Sequence, residues 1–149
     1  MSRRNRARQV ALQVLYQDDL NPPADPSAGT ELLRQRLRSP ELVAFAEGLV
    51  AGVRRHRTKL DELIANAAAN WSLHRMAATD RNVLRLGAYE LLYTDAPPPV
   101  AIDEAVELAK RYGSAQSSQF VNGILDRLLH EHVRGEAPAP EPRVSNPNP

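Results

Sequence analysis

Apolar side chains recur at helical spacing along most of this 149-residue chain, and groups of prolines separate the repeats. The prolines cluster at positions 22, 23 and 26, at 97–99, and five times after 137. Proline lacks a backbone donor and clashes with the preceding turn, so each cluster interrupts a helix. No segment shows the convincing alternation of a half-buried strand. We therefore predict an all-α fold of about seven helices.

The apolar stripes and capping residues predict where these helices lie. We expect them at residues 3–20, 30–38, 40 to about 55, 59–69, 79 or 80 to 93, 102–112, and from 117 or 118 onward. Ser39-Pro40-Glu41 is typical of a helix start, because it combines a cap, a first-turn proline and an acid near the positive helix end. We expect residues 56–58 to interrupt the third segment. Gly87 and Ala88 give the fifth helix a small face that permits close approach of a neighbour.

The composition limits the class of protein. The formal net charge is only +1 and there is no cysteine, which excludes disulfides, thiol nucleophiles and cysteine metal sites. No apolar run approaches the roughly 20 residues that span a bilayer. We expect a cytoplasmic protein without membrane contact. Residues 1–133 form the predicted domain, and the proline-rich residues 134–149 have a composition typical of disorder.

Four arginines, at positions 3, 4, 6 and 8, lead directly into the first helix. One interpretation is a solvated N-terminus; the other is a phosphate-binding arm. The planar fork of arginine suits phosphate, and arginine-rich segments often order on RNA. Clustering of these arginines in a nearly neutral chain favours the arm. Arg6, Gln9, Gln13 and Gln17 continue as a polar side of the same helix, with Tyr16 near its edge.

The residues that usually carry catalysis are not arranged for it. His56 and His74 stand alone, and His130 and His132 are two apart on a helix, so they cannot share a metal. The sequence has no Gly-rich phosphate loop, zinc spacing or nucleophile elbow. Acids at positions 103, 104 and 107 complement the dipole of a helix start. We predict that the chain is not an enzyme and uses no cofactor and no metal.

Two aromatic residues have alternative interpretations. Trp71, the only tryptophan, falls in a break between helices, where a core or interface anchor is favoured over a ligand role. Phe120 lies in a first turn close to Ser117 and Gln119. Core packing is favoured for Phe120, and a stacking platform for an unpaired base is the alternative.

The chain resembles the NusB family of bacterial transcription antitermination factors. The resemblance covers about residues 3–130 and follows the order and spacing of four motifs. These are an arginine-rich start followed by ALQVLYQ at 11–17, DRNVLRLGAYEL at 80–91, VAIDEAVELAKRYG at 100–113, and FVNGILD at 120–126. The resemblance implies seven helices in two small helical subdomains.

The same resemblance implies a function and a set of partners. The family binds boxA, a short single-stranded signal in nascent RNA, above all in ribosomal RNA operons, together with the ribosomal protein NusE. The assembly joins NusA, NusG and RNA polymerase and resists termination. Some members form homodimers that hide the RNA surface, so a homodimer is also allowed.

The family pattern also implies roles for particular residues of this chain. The arginine arm would grip RNA phosphates, and residues near the start of the last helix would border the RNA path at the far end of the fold. Two further residues would lie by the NusE surface. The RNA-binding set is Arg3, Arg4, Arg6, Arg8, Ser117, Gln119 and Phe120, and the partner-binding set is Tyr16 and Asp80.

Two alternatives remain from the sequence. The same fold forms the N-terminal region of certain RNA cytosine methyltransferases, which also need a cofactor-binding domain and a catalytic cysteine. With 149 residues and no cysteine, the chain fits that class only as a fragment. The other alternative is a purely structural helical interaction module in which the arginines are incidental.

Overall fold

The computed structural model describes residues 3–69 and 71–132, so the predicted disorder of residues 134–149 falls outside the described residues. Within this part of the chain the structure confirms the all-α prediction. It contains six α-helices and one short 3₁₀ turn, Leu73–Arg75. The α-helices are α1 (Arg3–Leu20), α2 (Thr30–Arg36), α3 (Pro40–Ala67), α4 (Ala78–Tyr93), α5 (Pro98–Tyr112) and α6 (Ser117–His132).

The predicted break at residues 56–58 is wrong, because α3 is continuous over 28 residues. None of these three side chains removes a backbone donor, so nothing forces the helix to stop. His56 instead continues the buried stripe that runs from Val53 to Leu60. Its ring stacks on Tyr93 with the ring centroids 4.1 Å apart. Two predicted helices therefore merge into one, and the helix count falls accordingly.

The other helix ends follow local chemistry. The Ser39 hydroxyl accepts a hydrogen bond from the Leu42 amide at 3.4 Å, which confirms the predicted cap of α3. α5 begins at Pro98 rather than at 102, because a proline at the first helical position loses no hydrogen bond. The predicted end of α5 at Tyr112 is confirmed, and α6 starts at Ser117, the first of its two predicted positions.

The helices form two bundles that share a hydrophobic core. α1, α2 and α3 pack on one another, and so do α4, α5 and α6. α4 also packs on α1 and α3, which makes it the central element. Leu60 of α3, Leu84 of α4 and Leu125 of α6 are each fully buried in this core. The arrangement agrees with the two small subdomains that the family resemblance implied.

Gly87 of α4 permits the close helix packing that the sequence predicted. A Cβ atom at this position would lie 2.8 Å from Leu125 Cδ1 and 2.9 Å from Ala105 Cβ. We expect Gly87→Ala to lower the free energy of unfolding by about 1–3 kcal/mol through overpacking, despite the better helix propensity of alanine. Urea unfolding would measure the change.

Gly123 supplies the matched control for this prediction. It also lies inside a helix, but a Cβ there would meet nothing within 4 Å. Gly123→Ala should therefore raise the free energy of unfolding by up to about 1 kcal/mol. Equal effects of the two substitutions would contradict the packing argument.

Candidate nucleic-acid interface

The four arginines at the start of α1 divide into two pairs. Arg3 and Arg6 are exposed to solvent. Arg4 and Arg8 are four residues apart, so they share another side of the helix. Both face the ring of buried Phe45, with their guanidinium carbons 4.5 Å and 5.2 Å from its centroid. The predicted arm is thus half solvent-facing and half turned towards the core.

Arg8 is held in a buried ion pair. Its Nε and Nη2 donate to the two carboxylate oxygens of Glu90 at 2.7 Å and 2.8 Å, and its Nη1 lies 3.7 Å from Glu104. Although burial opposes the charged form, the hydrogen bonds and negative charge of Glu90 hold the pKa of Arg8 above its usual value. Arg8 therefore ties α1 to α4 and α5, and its predicted contact with RNA stays untested.

Arg4 is intermediate between the exposed and buried arginines. Its Nε and Nη2 are buried, and neither has a hydrogen-bond partner in the part of the chain that the structure describes. Burial, and then the positive charge of Arg8, hold the pKa of Arg4 below its ordinary value. Arg4 adds charge to the arm, but these two nitrogens are closed to a ligand. Arg3 and Arg6 are therefore the two arginines of the predicted arm that are exposed enough to contact a phosphate.

The polar side of α1 borders a groove of about 370 Å³, which we call the α1 groove. The Tyr112 hydroxyl donates to Gln9 Oε1 at 3.1 Å across this region. The groove thus combines cationic, amide and phenol groups, the side chains that contact phosphates and sugars in nucleic-acid complexes. Its lining residues are Arg6, Gln9, Val10, Leu12, Gln13, Tyr16, Arg36, Thr79 and Tyr112.

Of the two residues predicted to face a partner protein, one lines the α1 groove and the other is the chain neighbour of a lining residue. Tyr16 lines it with 38% of its surface exposed. Asp80 follows Thr79, another lining residue, in the first turn of α4. Its buried Oδ1 accepts no hydrogen bond from the described residues. The exposed ring of Tyr16 is available to a partner, whereas this buried oxygen of Asp80 is closed to one, like the two buried nitrogens of Arg4.

A second groove, of about 300 Å³, lies beside Phe120, and we call it the aromatic groove. Phe120 is half-buried against the core, and Trp71 packs against it edge to face with centroids 5.8 Å apart. Gln119 is exposed at this groove. Its lining residues are Ala67, Ala68, Ala69, Trp71, Gln119, Phe120, Gly123, Ile124 and Arg127.

Ser117 has a different position from its two predicted companions. It is buried, and its hydroxyl accepts a hydrogen bond from the Ser114 amide at 2.9 Å. Ser117 thus holds the turn between α5 and α6 and presents no surface to a ligand in this structure. Its predicted role at the RNA path stays a prediction.

The arm and the aromatic groove lie beside opposite ends of α3. Arg3 Nη2 is 3.5 Å from the Ser39 hydroxyl, at the start of that helix. The aromatic groove contains Ala67, its last residue. A helix of 28 residues is about 40 Å long. An RNA that used both surfaces would have to run along much of the molecule.

Sequence reasoning missed several basic residues near the arm. Arg36, from the last turn of α2, lines the α1 groove with Arg6. Lys110 and Arg111 line a smaller pocket with Asn5 and Gln9. Lys110 and Arg111 lie in the last turn of α5, where basic residues also complement the helix dipole. Their position beside α1 depends on helix packing and has no local sequence signal.

Comparison with known proteins identifies the family. The model of the NusB family matches residues 5–130. The chain belongs to the NusB family. The transcription antitermination protein NusB of Anaeromyxobacter dehalogenans is 49% identical over 128 residues, which cover 85% of this chain and 90% of that protein. The Myxococcus xanthus protein of the same name is 47% identical, with coverage of 86% and 95%.

Solved structures agree with this assignment. T. maritima NusB is 40% identical with a TM-score of 0.80, covering 87% of this chain and 92% of that one. A crystal structure of the antitermination factors NusB and NusE with double-stranded RNA includes a chain 28% identical to this one. That chain has a TM-score of 0.78, with coverage of 89% and 99%.

Family membership confirms the prediction that this chain is not an enzyme, because the relatives it matches are antitermination proteins.

Among the described helices, none is both long and apolar enough to cross a membrane. The described residues also contain no group of three or more His, Asp or Glu placed to hold a metal ion.

Proposed function

We propose that this NusB-family chain is a cytoplasmic transcription antitermination factor that binds single-stranded boxA RNA together with NusE. In this proposal the pair joins NusA, NusG and RNA polymerase on nascent transcripts. The observation that carries it is the match to antitermination proteins over residues 5–130, combined with an exposed cationic side of α1. The relative solved with NusE and RNA supports the choice of partners.

The proposal assigns the two edges of the α1 groove to different partners. Arg3 and Arg6 face solvent at the start of α1, so they contact RNA phosphates. Tyr16, which is partly exposed, and Asp80, in the first turn of α4, lie further along and face NusE. Phosphate contacts fix the register of the RNA without reading its sequence, so base selection comes from other residues or from NusE.

Removing the two exposed arginines tests the arm. We expect Arg3→Ala/Arg6→Ala to weaken binding of single-stranded boxA RNA, because fewer counterions are released when the RNA binds. The slope of log K against log salt should fall by roughly 0.7 for each phosphate that the variant no longer neutralises. Fluorescence anisotropy of labelled RNA over a series of salt concentrations, with and without NusE, gives both quantities.

A matched control variant distinguishes the loss of the two arm arginines from a general decrease in net charge. Arg34→Ala/Lys59→Ala removes the same formal charge from exposed positions on α2 and α3, and its salt slope should equal that of the unmodified protein. Equal slopes for both double variants would reject the arm as an RNA contact. Arg8 is left intact in this design, because its loss would disturb folding.

A further inference from the structure

A relay of three side-chain hydrogen bonds leads from Glu104 of α5 to the α1 groove. Asn5 Nδ2 donates to Glu104 Oε2 at 2.8 Å, and Gln9 Nε2 donates to Asn5 Oδ1 at 2.6 Å. The relay ends at Tyr112, whose hydroxyl donates to Gln9 Oε1 at 3.1 Å. Asn5 and Gln9 are buried, whereas Tyr112 lines the groove with 45% of its surface exposed. The relay therefore connects a carboxylate to a phenol that a ligand can reach.

The carboxylate fixes the direction of every hydrogen bond in the relay. Glu104 lies 3.7 Å from the Arg8 guanidinium, and a carboxylate only accepts hydrogen bonds. Asn5 must therefore turn its amide nitrogen towards Glu104 and its oxygen towards Gln9. Gln9 in turn must direct its nitrogen to Asn5 and its oxygen to the groove. Reversing either amide would place two acceptor oxygens against each other, so both amides have one orientation.

This orientation decides what the Tyr112 hydroxyl can offer to a ligand. A phenol hydroxyl has a single hydrogen together with acceptor lone pairs, and it rotates to suit its surroundings. Here the hydrogen is used on Gln9 Oε1, which can only accept. The hydroxyl therefore presents an acceptor to the groove, and a ligand that contacts it must bring a hydrogen-bond donor.

Positive charge lies directly beside this acceptor. Arg6 Nη1 donates to the same Gln9 oxygen at 3.4 Å, so Arg6 and Tyr112 converge on one atom. The Arg111 guanidinium lies 5.8 Å from the centroid of the Tyr112 ring. The matching ligand carries an anion and a neutral donor side by side. A carboxylate of a protein would satisfy the arginines but bring no donor, whereas the phosphate and the 2′-hydroxyl of one ribonucleotide supply both.

We propose that the Tyr112 hydroxyl accepts a hydrogen bond from a ribose 2′-hydroxyl of the nucleotide whose phosphate contacts Arg6. Asn5 and Gln9 are positioning residues that keep the hydroxyl in its accepting orientation. Deoxyribose lacks the 2′-hydroxyl, while phosphate contacts are common to RNA and DNA. Tyr112 thus makes the chain prefer RNA over DNA, which deepens the proposed RNA-binding function and rests on it.

Tyr112→Phe keeps the ring and removes the acceptor. We expect this variant to bind single-stranded boxA RNA about 2- to 10-fold more weakly, the range for one net hydrogen bond. Its binding of a DNA strand of the same base sequence, with deoxyuridine in place of uridine, should be unchanged. Fluorescence anisotropy with both labelled strands, with and without NusE, gives the ratio of the two affinities. A merely structural role of the hydroxyl would weaken both strands alike and leave this ratio unchanged.

Changes in the RNA locate the contact from the other side. In a set of RNA strands that each carry a single 2′-deoxynucleotide, one strand should bind the unmodified protein more weakly by the same factor. That strand should bind Tyr112→Phe as well as the full RNA does. Tyr93→Phe is the matched control, because it removes a phenol hydroxyl from the core at the other end of α4 from the lining residue Thr79. It should keep the affinity ratio of the unmodified protein.

The possible results separate this proposal from the proposed function. An unchanged affinity ratio in Tyr112→Phe would overturn the 2′-hydroxyl contact, and RNA binding by the unmodified protein with NusE would leave the antitermination function intact. Failure of the unmodified protein to bind RNA, both alone and with NusE, would overturn both. Weaker binding of NusE by Tyr112→Phe, with the affinity ratio unchanged, would assign the hydroxyl to the protein partner and reject the ribose.

Discussion

Replacing Arg8 with methionine should lower the free energy of unfolding by about 3–5 kcal/mol, because it leaves a buried carboxylate without its partner. Glu90 is 1% exposed, and both of its oxygens accept hydrogen bonds from the Arg8 guanidinium. Methionine fills much of the space of arginine but supplies no charge and no donor. Urea unfolding at neutral pH, followed by circular dichroism, measures the loss.

Two further variants show whether the pair itself is responsible. Arg6→Met changes an exposed arginine of the same helix and should alter stability by no more than about 0.5 kcal/mol. Arg8→Met/Glu90→Met removes both charges and should recover most of the lost stability, since a buried ion pair adds little over apolar packing. A double variant as unstable as Arg8→Met alone would refute the unpaired carboxylate as the cause.

The helical period predicts that the four arginines divide into two pairs on different sides of α1, but it does not predict which pair is buried. Residues four apart lie on one side of a helix, which groups Arg4 with Arg8. Arg3 and Arg6, three apart, lie together on another side. Burial of Arg8 depends on Glu90, which is 82 positions away along the chain. A cluster of arginines in a sequence therefore predicts local positive charge. Which of the arginines face solvent and which are buried in ion pairs depends on tertiary packing.

Local signals predicted most helix boundaries, and they failed where a polar residue belongs to the core. Ser39-Pro40 marks a real start, because the cap and the proline act within one turn. The apolar pattern predicts a helix break at His56, because polar residues usually indicate a surface or a loop. In the structure the His56 ring stacks on Tyr93 in the interior. Trp71 shows the reverse case, in which an apolar residue expected to be an anchor lies half in solvent.

A network centred on Asp19 had no sequence signal at all. This residue lies near the end of α1 in a run of polar side chains, which is typical of a solvated helix end. In the structure Asp19 accepts hydrogen bonds from Arg81 at 2.9 Å and from Asn82 at 2.9 Å. Arg57 of α3 donates to its other oxygen at 3.2 Å, and buried Arg85 lies 3.4 Å away. Asp19 thus links α1, α3 and α4 through one carboxylate.

Replacing Asp19 with alanine should lower the free energy of unfolding by about 3 kcal/mol, since it removes the shared anion from partly buried arginines. The loss should depend on pH. Burial raises the pKa of Asp19, but hydrogen bonds from Arg81 and Asn82 and the nearby positive charges outweigh it and hold the pKa below its usual value. A lowered folded-state pKa stabilises the protein above the unfolded value of about 4, and that contribution is lost as the pH falls through the folded-state pKa.

Urea unfolding at neutral pH and at several acidic pH values tests both parts of this prediction. The stability difference between the unmodified protein and Asp19→Ala should be largest at neutral pH and should shrink as the solution is acidified. Asp126→Ala, at an exposed position on α6, is the control and should follow the unmodified protein within about 0.5 kcal/mol. A difference that stayed constant down to strongly acidic pH would mean that Asp19 contributes through packing and not through its charge. Protonation of Asp19 in the unmodified protein would then not bring its stability closer to that of the alanine variant.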